Sequence, residues 1–154
     1  NNDNHNGKFI LCQDTGATRF QVYNDGDVQN HDNSYGGTSD QKLKEQIADA
    51  SSQWDDIKDL QIRKYKMKED VANADTDSDA LFKIGVIAQE LETAGMSGLV
   101  TSSPDYDDDG NDLGTVTKGV KYSILYMKAV KALQEAMERI ETLETKVAAL
   151  EAGN

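Results

Sequence analysis

The chain has 154 residues, a hydrophobic share of 37% and a net charge of −12. That length suits about one domain, but the apolar share falls below the roughly 45–50% of an ordinary globular protein, so one compact core is not expected to involve every residue. The acidic balance excludes nucleic acid and anionic membrane surfaces as expected partners, and no apolar run is long enough to span a bilayer. The opening "NNDNHNGK" has no signal-peptide character and reads as a cut inside a longer protein. The single cysteine, Cys12, excludes an intrachain disulfide, and with only two distant histidines, His5 and His31, a structural zinc site is not expected; neither histidine is assigned a role.

In chain order, Lys8 to Tyr35 alternates apolar and polar residues, with Phe9 and Leu11, then Phe20 and Val22, then Val28. Asp14-Thr15-Gly16 and Asn24-Asp25-Gly26-Asp27 are turn sequences, so short hairpins are expected, with Cys12 a small buried hydrophobe. Hairpins this short need something to pack on, either more of the parent protein or copies of themselves.

From Asp40 the period changes. Leu43, Ile47, Ala50, Trp54, Ile57 and Leu60 follow spacings of three and four, which predicts an amphipathic helix of about twenty residues with a break near Ser51-Ser52. "IRKYKM" (Ile62 to Met67) and "FKIGVIA" (Phe82 to Ala88) read as strands, and the acidic stretch Glu69 to Asp79 between them as a solvated loop. A short helix begins at Gln89 and stops near Gly95; Leu99-Val100 and Val116 to Tyr122 are further strands. Trp54 and Tyr65 read as core residues rather than a ligand platform.

From Ser123 onward Tyr126, Leu133, Ile140 and Val147 recur every seven residues as position a, with Ala129, Ala136, Leu143 and Leu150 at d. In a parallel coil, Arg139 and Lys146 at g then face Glu144 and Glu151 at e of the next helix, and both pairs are of opposite charge. Val130 and Met137 at e widen the apolar face, which suggests more than two strands; a helix lying along its own domain is the alternative.

Two stretches could carry chemistry. In "GGTSDQKLKEQI", Gly36 to Ile47, Ser39 is either a helix N-cap or a nucleophile with Lys44 as its amine base. A lysine can act as base only where burial disfavours its ammonium form. The spacing suits a cap at Ser39 and a second-turn Lys44, with helix amides cradling an oxyanion and Gly36-Gly37 supplying a strained or close-approaching backbone. The second stretch, "DYDDDG", sets Asp105, Asp107 and Asp109 before Gly110 like half of an EF-hand loop. Val116 stands where the bidentate glutamate belongs, so an exposed acidic hairpin tip is the favoured reading and calcium the weaker one.

Several of these pieces resemble the peptidase S74 family, the C-terminal intramolecular chaperone domains of phage tailspikes, tail fibres and neck appendages. They are Ser39-Asp40 with Lys44, "YKMK" at Tyr65 to Lys68, "GVIAQELE" at Gly85 to Glu92, "GLV" at Gly98 to Val100, and "VKYSILYMKAVKALQE" running into the heptads. "RFQVYNDGDV" before the junction resembles the β-rich end of a fibre stem. The resemblance implies a homotrimer with an upstream stem of the same polypeptide as client; the heptads place its interface along Tyr126, Leu133, Ile140, Leu143, Val147 and Leu150, and no cofactor is expected. It implies Ser39 as nucleophile, Lys44 as base and Thr38–Ser39 as the cut bond, on a tail fibre or spike assembled in the host cytoplasm. The expected fold is α+β: residues 1–38 the end of a β-structured stem, 39–122 the chaperone domain, and 123–154 a helix in a parallel trimeric bundle. The alternatives are a permanent trimeric tip that does not cut, and a tip that binds a host surface glycan.

Overall fold

The computed structural model describes residues 7–74, 76 and 80–153. The chain divides into two compact units, residues 1–48 and 49–154.

The first unit is an antiparallel meander of β1 (Lys8–Gln13), β2 (Thr18–Tyr23) and β3 (Val28–Asn30). Its turns form as the sequence dictates. Asp14 Oδ1 accepts from the amides of Gly16 and Ala17 at 2.8 and 2.9 Å, and Gly26 takes φ +89, the left-handed backbone that glycine adopts without a Cβ penalty. The buried positions differ from the expectation. Phe9 is 75% exposed and Cys12 is exposed, whereas Gln21 and Tyr23 are covered. Gln21 Nε2 donates to the Tyr23 hydroxyl at 2.6 Å and to Gln29 Oε1 at 2.5 Å, so a polar cluster occupies the inner face. β1 is an edge strand with all six residues exposed, so its alternation marks no buried face; its ladder with β2 also carries register shifts between Lys8 and Ile10 and between Cys12 and Gln13.

Of the helix predicted from Asp40 with a break near Ser51-Ser52, only the part after the break forms, as Trp54–Asp59. A single 3-10 turn, Gln41–Leu43, is followed by extended chain, Gln46 has φ +52, and Leu43 and Ile47 stay about two-thirds exposed. Helices draw most of their stability from burying the apolar face, and among the described residues Leu43 and Ile47 are left uncovered.

The second unit begins with α1 (Trp54–Asp59) and the strand pair β4 (Arg63–Tyr65) with β5 (Lys83–Gly85). Between them, α2 (Lys68–Asn73) replaces the first part of the predicted loop, where Glu69 and Asp70 sit favourably in a first helical turn; Asp75 and residues 77–79 lie outside the described residues, as does His5. Next come α3 (Ala88–Thr93), the hairpin β6 (Val100–Tyr106) with β7 (Asp112–Val120), and α4 (Tyr122–Ala152). α3 ends on Gly95 at φ +80, with the Met96 amide returning to the Leu91 carbonyl at 2.8 Å. The hairpin strands run further into the acidic loop than expected and leave a turn from Asp107 to Asn111.

Val86, Leu91, Met96, Leu99 and Leu125 form the core, with Ile57, Leu60, Val100 and Val120 packed around it. Trp54 and Tyr65, expected in the core, are half-buried and stand outside this cluster. The fold is α+β with a 31-residue terminal helix. Among the described residues no helix is long and apolar enough to cross a membrane.

Candidate functional site

Lys44 Nζ donates to Ser39 Oγ at 2.7 Å. The route to this contact differs from the one the spacing suggested. Asp40, not Ser39, caps the short turn: its Oδ1 accepts from the Lys42 amide at 3.0 Å and its φ and ψ are extended. With the cap supplied by its neighbour, the Ser39 hydroxyl is left to Lys44, which closes the 3-10 turn as its C-cap rather than standing in a second helical turn. A nucleophile and an amine base within hydrogen-bond reach is the arrangement serine activation requires.

Two parts of the expected machinery are absent. The 3-10 turn is too short to array helix amides as an oxyanion cradle, and the Lys42 amide is already bonded to Asp40. Gly36 and Gly37 have open space where a Cβ would stand and neither has positive φ, so no close approach or strain demands glycine there. Thr38, Ser39 and Lys44 are all exposed in the single chain.

The acidic hairpin is organised by its own hydrogen bonds. Asp107 accepts from the amides of Asp109 and Asn111 at 3.0 and 2.8 Å, which holds its carboxyl below the usual range through the Asn111 side chain and these backbone donors. Asp105 Oδ2 accepts from Thr115 Oγ1 at 2.7 Å; the Thr117 hydroxyl, and then Thr115, hold that carboxyl low. Among the described residues no three acidic, histidine or cysteine side chains converge as a metal would need. In this geometry Asp107 organises the turn, and Asp105 bridges the two strands through Thr115.

The a and d positions of α4 line up as an uncovered apolar stripe. Tyr126, Leu133, Ile140, Leu143, Val147 and Leu150 are each more than half exposed. Beside the stripe, α1 is pinned to α4 by contacts the sequence did not announce. Lys128 Nζ bonds the Gln53 side chain and Asp56 Oδ2, the latter at 2.5 Å. Glu135 accepts from Ser52 Oγ at 2.7 Å and from the Gln53 amide at 2.9 Å, and these two donors hold its carboxyl below the ordinary glutamate range. The Arg139 guanidinium lies 3.7 Å from the centre of the Trp54 ring. These partners lie far apart in sequence, and local pattern carries no signal for them.

Residues 39–101 match the Peptidase_S74 family, described as chaperone of endosialidase. The match covers this segment of the chain, fewer than half of its residues. Its first matched residue is Ser39, at the start of the Ser39–Lys44 contact. Among solved structures, the chain is similar to one described as "Crystal structure of a novel intramolecular chaperon", with TM-score 0.49 and 23% identity, covering 66% of this chain and 99% of that one. No curated protein matches.

Proposed function

We propose that this chain is an intramolecular chaperone that joins three copies through α4, sets the register of the β-structured chain preceding Ser39, and then separates itself at the Thr38–Ser39 bond. The observation that carries this reading is the 2.7 Å hydrogen bond between Lys44 and Ser39 at the first residue of the family match. The uncovered stripe of α4 supports the assembly step.

A β-structured stem has a register problem, since a slip of one residue turns each side chain to the opposite face. Joining the chains at one end makes the search nearly intramolecular and raises the effective concentration of the strands. Release afterwards removes the template, so the mature stem is held by slow unfolding.

In the cutting step, neutral Lys44 takes the proton from Ser39 Oγ as Oγ attacks the Thr38 carbonyl carbon. The Thr38–Ser39 C–N bond breaks, the proton passes to the departing Ser39 amine, and an ester joins Thr38 to Oγ. Water then hydrolyses the ester, leaving a Thr38 carboxylate and a free Ser39. Because the dyad is exposed in the single chain, this reading has assembly cover it before the cut.

Intact-mass measurement of the full chain, as wild type, Ser39→Ala and Lys44→Ala, tests the reading. A fragment beginning at Ser39 in wild type alone supports it. Uncut chain in all three, with a trimer in solution, favours a permanent tip, the reading to which the exposed dyad side chains also lend themselves.

A further inference from the structure

The heptad register pairs position g of one helix with position e five residues further along its neighbour. For Arg139 with Glu144 and for Lys146 with Glu151 this gives opposite charges. One and two heptads earlier, the same rule pairs Ala132 with Met137 and Leu125 with Val130, all apolar.

The structure makes those two earlier pairs unequal. Leu125 and Ala132 are buried within the single chain, because α1 and the core cover that flank of α4. Val130 and Met137, on the opposite flank, are 48% and 53% exposed. Between α1 and α4 an apolar groove of about 330 Å³ remains open, lined by Trp54, Ile57, Lys58, Ala129, Ala132 and Leu133. Its floor contains a g residue, Ala132, and its wall is α1. The flank that carries the groove therefore faces, in a parallel coil, the flank that carries the uncovered Val130 and Met137 of the next copy.

We propose that this groove is the seat for Met137, with Val130 beside it, of a neighbouring copy, so that α1 is part of the interface between chains as well as part of its own domain. The inference rests on the parallel coil proposed above. The occupant is a second copy because the seam is continuous: charge-complementary g and e pairs at Arg139 and Lys146 give way, toward the start of α4, to an apolar groove opposite apolar knobs. The arrangement also gives Arg139 two neighbours, the face of Trp54 within its own chain and Glu144 of the next, so guanidinium stacking and the ion pair meet at one residue.

The test uses the full chain carrying Cys12→Ser, so that no native thiol competes. Lys58→Cys with Met137→Cys is oxidised in solution and compared with Lys58→Cys with Glu138→Cys, Glu138 being on the outer face. All three positions are exposed in the single chain, so the fold tolerates the changes. The expected result is covalent dimers and trimers from the Met137 pair, at several times the yield of the Glu138 pair. Alongside, Met137→Glu raises the concentration for half-assembly by tenfold or more in sedimentation, while Gln134→Glu on the outer face leaves it unchanged. A parallel trimer without cross-links above the control, a disulfide closed within one chain, or assembly indifferent to Met137→Glu overturns the groove assignment and leaves the coil standing. A chain that sediments as a monomer at all concentrations overturns both.

Discussion

The two halves of α4 share one heptad pattern and have different surroundings. From Tyr122 to Ala136 the helix closes the core through Leu125, buries Ala132 beneath α1, and is latched by Lys128 and Glu135. From Met137 to Ala152 every described side chain is exposed. The first half owes its conformation to its own chain. The second is patterned for a surface that its own chain does not supply. A heptad thus states which face is to be buried and is silent on whether the covering surface belongs to the same molecule.

The largest effect that separates the halves is expected at Leu91, which is 2% exposed and packs in the core with Leu125. Leu91→Ala should cost about 2–5 kcal/mol by transfer and cavity terms, read as an earlier denaturant midpoint. If that unfolding midpoint stays put, the first half of α4 is not anchored by the core as described. Next is Ile140→Asp combined with Leu143→Asp in the second half. Assembly should fall by at least a hundredfold in sedimentation while the core's unfolding midpoint in dilute, unassembled protein is unchanged. A lowered midpoint there would show that the second half supports its own chain after all.

A smaller effect is expected from acid. The Ser52 hydroxyl and Gln53 amide lower the Glu135 carboxyl from its ordinary value of 4.5, so this latch contributes fully above that value and is lost as pH falls through the lowered one. Emission of the one tryptophan, Trp54, should shift over that acid window in wild type, and Glu135→Gln should flatten the shift. An identical titration in the variant would remove Glu135 from the account. The smallest change is expected from Arg63→Ala. Its guanidinium grips Glu90 at 2.6 to 3.0 Å, raising the arginine and lowering the glutamate, yet the pair is solvent-exposed and its loss should leave the melting curve within error.

Much of this molecule was legible locally. Gly26 and Gly95 marked a turn and a helix end because positive φ is a property of single residues. The α4 period and the Ser39–Lys44 spacing were likewise readable, and the two side chains do meet. What failed was inference from period to buried helix at Leu43 and Ile47, where the pattern exists and the cover does not. Cys12 and Phe9 misled because β1 is an edge strand whose residues are all exposed, so alternation there marks no buried face. The contacts that pin α1 to α4 link residues 72 or more apart, and no spacing rule anticipates them.

The bare second half of α4 has a thermodynamic corollary. About sixteen residues is close to the length at which a helix without tertiary support is only marginal in water. In dilute solution its amides should therefore exchange with solvent deuterium far faster than those of Leu125 and its neighbours, and protection should spread down the helix as concentration rises. On the assembly proposed above, ordering the tail and joining the copies would be a single transition, with the negative heat-capacity change of apolar burial as its calorimetric mark.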